Sequence, residues 1–96
     1  MRVRFTPSAR SEFLEALDYI RLDSPAAADG MLERSLEGLA PLADFQDSGR
    51  VVPEFPDLSY REVLVSPYRF FYRVADDGVW IVAVWHERQL PEPPAA

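Results

Sequence analysis

Two kinds of spacing divide this chain, helical over its first half and strand-like over its second. Val3 and Phe5 alternate with Arg2 and Arg4, the period-two pattern of a short strand with one face buried. Thr6-Pro7 then offers a capping side chain followed by proline at the first helical position. Ala9, Phe13, Leu17 and Ile20 form one apolar stripe, flanked by Leu14 and Ala16, and predict a helix from about residue 7 to 22. Glu12, Glu15 and Asp18 take its other side. Ser24-Pro25 repeats the start signal, and Ala28, Met31, Leu32, Ser35, Leu36 and Leu39 carry a second helix to about residue 40. Pro41 ends that helix or kinks its last turn. The two helices form a hairpin. Gly30 and Gly38 weaken the second by up to about 1 kcal/mol each relative to Ala, and are read as places where the first helix approaches closely.

Residues 43–58 are irregular, broken by Gly49, Pro53 and Pro56. Three strand-like runs follow, Leu58 to Val65, Tyr68 to Ala75 and Val79 to His86. Ser66-Pro67 and Asp76-Asp77-Gly78 separate them, connections short enough for antiparallel hairpins. The fold class is therefore α+β: an N-terminal strand, a helical hairpin, then a three-stranded antiparallel meander with the helices on one face. Residues 1–88 make one domain, and 89–96 a proline-rich tail expected to be extended or disordered.

Strict alternation sorts the strand residues by face. Tyr68, Phe70, Tyr72 and Val74 oppose Arg69, Phe71 and Arg73; Val79, Ile81, Ala83 and Trp85 oppose Trp80, Val82, Val84 and His86. Trp80 and Trp85 thus fall on opposite faces, and one of them lies outside the helix-covered core. Two helices cover only one face of such a sheet. The second face is either covered by arginine stems and the 43–58 segment or left as a surface for a partner. A partner's amphipathic helix or added strand would meet that need.

Composition narrows the function classes. With 48% hydrophobic and 27% charged residues the chain is an ordinary globular one. It has no cysteine, which excludes disulfides, thiolate metal sites and cysteine catalysis. A single histidine, His86, leaves no nitrogen-rich metal site, and no cofactor or metal is expected. No signal peptide or membrane-length apolar run is visible, so a cytoplasmic location is expected. The net charge of −6 is the wrong sign for holding nucleic acid alone. All ten basic residues are arginine, whose forked guanidinium suits carboxylate partners.

Five blocks, in order, resemble the ParE/RelE superfamily of bacterial toxins. They are Phe5-Thr6-Pro7-Ser8-Ala9; Ser48-Gly49-Arg50 with Val52-Pro53-Glu54; Tyr60-Arg61-Glu62-Val63; Tyr68-Arg69 with Phe71-Tyr72-Arg73-Val74; and Val84-Trp85-His86-Glu87-Arg88. The resemblance implies the toxin of a type II toxin–antitoxin pair, in a hetero-oligomer with a cognate, ParD-like antitoxin. It implies either inhibition of DNA gyrase by direct binding, as in ParE-like members, or ribosome-dependent messenger cleavage, as in RelE-like ones. A third reading, from another class, is a non-toxic interaction or autoregulatory module on the same fold.

Cleavage of RNA needs a base, cations at the phosphate and an acid. Arg61 and Arg69 match two RelE-like positions, and His86 matches a role in another nuclease subgroup. Against that, Val63 and Glu87 stand where basic residues are needed, and no tyrosine follows Tyr72. The resemblance to gyrase-binding members is the better fit. Arg61, Arg69, Arg73, Trp80 and Arg88 are the expected antitoxin contacts, and His86, Glu87 and Arg88 the expected target contacts. Arg69 and Arg73 have a structural alternative, ion pairing with Glu54, Glu62 or Glu87. Asp76-Asp77 is a turn.

Overall fold

The Thr6 side chain accepts a hydrogen bond from the Ala9 amide at 3.2 Å, and Ser24 accepts one from Ala27 at 3.1 Å. In the computed structural model, which describes residues 1–89, these caps open α1 (Pro7–Asp23) and α2 (Pro25–Leu39). Each cap satisfies a donor that the helix itself leaves unpaired, typically worth about 1 kcal/mol. A single residue, Ser24, separates the helices. After α2, Pro41 sits in a short 3₁₀ turn, Ala40–Ala43. No helix among the described residues is long and apolar enough to cross a membrane.

Among the described residues five strands form one sheet: β1 (Val3–Phe5), β2 (Arg50–Val51), β3 (Arg61–Val65), β4 (Tyr68–Ala75) and β5 (Gly78–His86), in the order β1-β5-β4-β3-β2. The meander β3-β4-β5 is antiparallel, as its turns predict. The sheet as a whole is mixed, because β1 pairs parallel to β5. The helical hairpin carries the chain from β1 at one edge of the sheet to β2 at the other, and the meander then returns to set β5 beside β1. Val79 donates to the Arg2 carbonyl at 2.8 Å and Thr6 to that of Ile81 at 2.9 Å. Gly78 has φ +145°, and a Cβ there would stand 2.5 Å from the Arg2 oxygen, so only glycine fits this turn. β2 was not expected, and β3 begins at Arg61 rather than Leu58.

The helix-side core joins Phe13, Leu17, Met31 and Leu39 to Phe70, Tyr72 and Ile81. Phe13 stacks on Phe5 and meets Phe70 edge-on, with ring centroids 5.5 and 5.4 Å apart. Gly38 packs against Val65 and Val63 of β3, and a Cβ on Gly30 would meet only Arg34. Neither glycine marks an approach of α1, contrary to the sequence expectation.

A bulge changes the assignment of faces in β5. Phe71 pairs with Ala83 but Tyr72 with Ile81, so Val82 is an extra residue. Beyond such an insertion the in–out parity inverts. Val84 therefore joins the helix-side core, while Val82, Ala83 and Phe71 form a second buried cluster with Val52 on the opposite face. Trp80 and Trp85 both pack on that second cluster, as do Phe55 and Tyr60. The expectation of tryptophans on opposite faces is thereby overturned. Of the two alternatives for the second face, the covered one holds at its centre, where the chain's own segment around Val52 and Phe55 packs. Of the proline-rich 89–96 tail, all but Gln89 lies outside the described residues.

Candidate partner-binding site

Arg69 leaves β4 on the second face and is only 6% exposed. Its Nε and Nη2 donate to the two oxygens of Glu62 at 2.7 and 2.9 Å. Nη2 and Nη1 donate to Glu54 at 2.7 and 3.0 Å. Four of the five guanidinium N–H groups are thus committed to carboxylates. The hydrogen bonds Arg69 donates to Glu62 and then to Glu54 hold its pKa above the already high ordinary value, against the opposing effect of burial. The Arg69 hydrogen bond likewise holds the Glu54 carboxyl below the usual carboxylate range. Arg50 adds a second cation to Glu62 at 3.2 Å. The Arg69 guanidinium stands 5.0 Å from the Phe71 ring centroid. Glu62 and Glu54, two of the three carboxylates considered, are the partners; the third, Glu87, is exposed at the far end of β5.

Arg61 lies opposite Tyr72 in the β3–β4 ladder, whereas Arg69 lies opposite Leu64. The period of two therefore places Arg61 and Arg69 on opposite faces. Arg61 donates to the Gly49 carbonyl at 3.0 Å. Tyr72 donates to the Gln46 carbonyl at 2.6 Å and accepts from the Gly49 amide at 2.9 Å. A Cβ on Gly49 would stand 2.5 Å from the Tyr72 ring and 2.8 Å from the Glu62 carbonyl, so this close crossing requires glycine. Arg61, Tyr72 and Arg73 line a cleft of about 320 Å³ at this end of the sheet. Burial raises the Tyr72 pKa above its ordinary value, so the hydroxyl stays protonated as a donor.

His86 stands at the other end, opposite Tyr68, whose ring it meets edge-on at 5.4 Å. Its Nδ1 accepts from the Arg88 amide at 3.1 Å. Glu87 and Arg88 are exposed in the turn beyond it. A second cleft, of about 300 Å³, lies between His86 and α1 and is lined by Glu12 and Glu15. Glu12 accepts from the Val84 amide at 3.0 Å, and burial raises its pKa above the ordinary value. In the sequence Glu12 falls with Glu15 and Asp18 on the side of the helix away from the apolar stripe. Its task arises because β1 covers β5 only to Ile81, and helical spacing carries no trace of that. Trp80 is held by a different pair: Arg4 lies 4.2 Å over its ring, and its Nε1 donates to Asp77 at 3.0 Å. Arg69, Arg61 and His86, the three candidates for nuclease chemistry, do not converge. Among the described residues no group of three or more His, Asp or Glu side chains is placed to hold a metal ion.

Residues 3–91 match the family model described as the ParE toxin of the type II toxin–antitoxin system parDE. This chain belongs to the ParE toxin family. Its fold is similar to a solved chain of the chromosomal ParDE toxin–antitoxin system from P. aeruginosa, with TM-score 0.72 and 21% identity over 90% of this chain and 95% of that one. A chain of the toxin–antitoxin complex RelBE2 from Mycobacterium tuberculosis superposes with TM-score 0.57 and 22% identity, covering 88% and 87% of the two chains. No curated protein matches the sequence. At these identities the solved structures speak to the ParE fold alone, and the family model supplies the assignment.

Proposed function

We propose that this ParE-family toxin inhibits DNA gyrase by direct contact, has no catalytic step of its own, and is neutralised by a cognate ParD-like antitoxin. The observation that carries the reading is the commitment of Arg69 to Glu62 and Glu54. A guanidinium so engaged has no free fork for a scissile phosphate. Arg61 projects from the opposite face. His86 is paired four residues along β4 from the partner of Arg61, roughly 13 Å away at strand rise. A net charge of −6 further disfavours RNA as the ligand and direct binding of DNA by the free chain.

In this reading the antitoxin contacts Arg61, Arg73, Trp80 and Arg88, and Arg69 braces the second face from which Arg73 and Trp80 project. The target contacts His86, Glu87 and Arg88, where β5 has run on past the end of β1. The solved relatives are described as parts of toxin–antitoxin systems, which favours an antitoxin partner here as well. Induced expression is expected to arrest growth, and co-expression of the small frame adjoining the gene to restore it. Ribosome-dependent messenger cleavage by the purified chain overturns the reading in favour of a nuclease. Absence of growth arrest, in a host whose gyrase closely matches the native one, overturns it in favour of a non-toxic module.

A further inference from the structure

Three exposed aliphatic side chains converge on the cleft beside Arg61. Val51, Leu58 and Val74 are 45%, 40% and 44% exposed, and all three line it. The cleft exists because β4 outruns β3. Arg61, the first residue of β3, lies opposite Tyr72, so Arg73 and Val74 have no strand partner on that side. The segment through Leu58 forms the facing wall.

Two guanidiniums flank these carbons. Arg61 is fixed by its bond to the Gly49 carbonyl, and its nearest carboxylate is the exposed Asp47, 3.9 Å away. Arg73 makes no hydrogen bond or ion pair among the described residues, and it acts on Asp77 only at a distance. Among the described residues Asp47 is the one carboxylate lining the cleft, so cations outnumber anions there on a chain of net charge −6. An uncommitted guanidinium beside exposed aliphatic carbon matches a ligand with an anionic and an apolar part.

We propose that this cleft docks a partner polypeptide segment carrying a carboxylate side chain next to an aliphatic one. Arg73 and Arg61 hold the carboxylate; Val51, Leu58 and Val74 bury the aliphatic group. A phosphate has nothing to place against those three side chains, which favours the peptide. The inference deepens the partner-binding reading above by naming the chemistry of the contact, and rests on that reading only for the polypeptide source.

The test is an amide-resolved NMR titration of the full chain with three probes: N-acetyl-Leu-Asp-amide, N-acetyl-Leu-Asn-amide and inorganic phosphate. The acidic dipeptide is expected to shift the Arg61, Arg73 and Val74 amides saturably. Its amide counterpart should bind about tenfold more weakly, the usual gap between charged and neutral acceptors. Arg73→Ala should abolish the response while leaving the rest of the spectrum unchanged, since Arg73 makes no hydrogen bond or ion pair among the described residues. Equal binding of the two dipeptides, tighter binding of phosphate, or no saturable shift with any probe overturns the proposal. The titration needs neither antitoxin nor gyrase. Binding without growth arrest keeps the cleft and rejects the toxin reading, and arrest without binding does the reverse.

Discussion

Arg69 and Glu62 form a forked ion pair across β4 and β3, Nε to Oε1 at 2.7 Å and Nη2 to Oε2 at 2.9 Å, with the Glu62 side chain shielded from water. Charge at this depth is tolerated only while every partner is in place. Glu54 extends the pair to the segment that covers the second face, so one arginine ties that cover to the sheet.

Removing the arginine alone should therefore be costly. Arg69→Ala leaves Glu62 buried with only the more exposed Arg50 for company, and a loss of about 3–5 kcal/mol is expected in urea unfolding. The double change Arg69→Met with Glu62→Met should recover much of that, because no stranded charge remains. Equal losses for the single and double variants would contradict this account of the pair.

The crossing of Gly49 over Tyr72 makes a second prediction. Gly49→Ala places a methyl group against the Tyr72 ring and the Glu62 carbonyl, and should cost about 1–3 kcal/mol. Tyr72→Phe removes one donor and one acceptor at the same point, and should cost about 1–3 kcal/mol by leaving the Gln46 carbonyl and Gly49 amide without that partner. Thermal unfolding of both variants checks the pair.

Much of this architecture is legible in the residues. Thr6-Pro7 and Ser24-Pro25 announce both helices to within a residue, because caps and proline act locally. The meander follows from the turns at Ser66-Pro67 and Asp76-Asp77-Gly78. What escapes is set by long-range pairing. The bulge at Val82 replaces one apolar residue by two in a run that is apolar throughout, so no polarity change marks where the faces swap. β2 is two residues long, below any periodic signal. Arg61 and Arg69 match two positions of one nuclease set in the sequence, yet the ladder register sends them to opposite faces. Glu12 meets Val84 only because β1 stops short of it.

Glu12 gives a prediction in pH. Burial raises its folded-state pKa, so the ionised form is the disfavoured one. The stability it contributes is present below the unfolded carboxylate value and lost as pH rises through the folded one. Glu12→Gln keeps an oxygen for the Val84 amide without the charge. The variant should be at least as stable as the parent at neutral pH, and the difference should shrink as the solution is acidified below the ordinary carboxylate range. A variant less stable at neutral pH would contradict this.

Glu54 titrates in the opposite sense. The Arg69 bond lowers its folded-state pKa, so its contribution is present above the unfolded value, about 4.3, and is lost as pH falls through the folded one. Acidification should loosen the cover over Trp85 before the helices unfold, read as a tryptophan emission change preceding the far-ultraviolet signal. Glu54→Gln should abolish that early phase.

The central claim is toxicity through protein contact, and gyrase supercoiling tests it most directly. The purified full chain, free of antitoxin, is added to gyrase, ATP and relaxed plasmid. Supercoiling should fall with increasing chain, or cleaved DNA accumulate, and the cognate antitoxin should reverse the effect. Unimpaired supercoiling with the chain in large excess over gyrase, with no cleaved DNA, would contradict the claim.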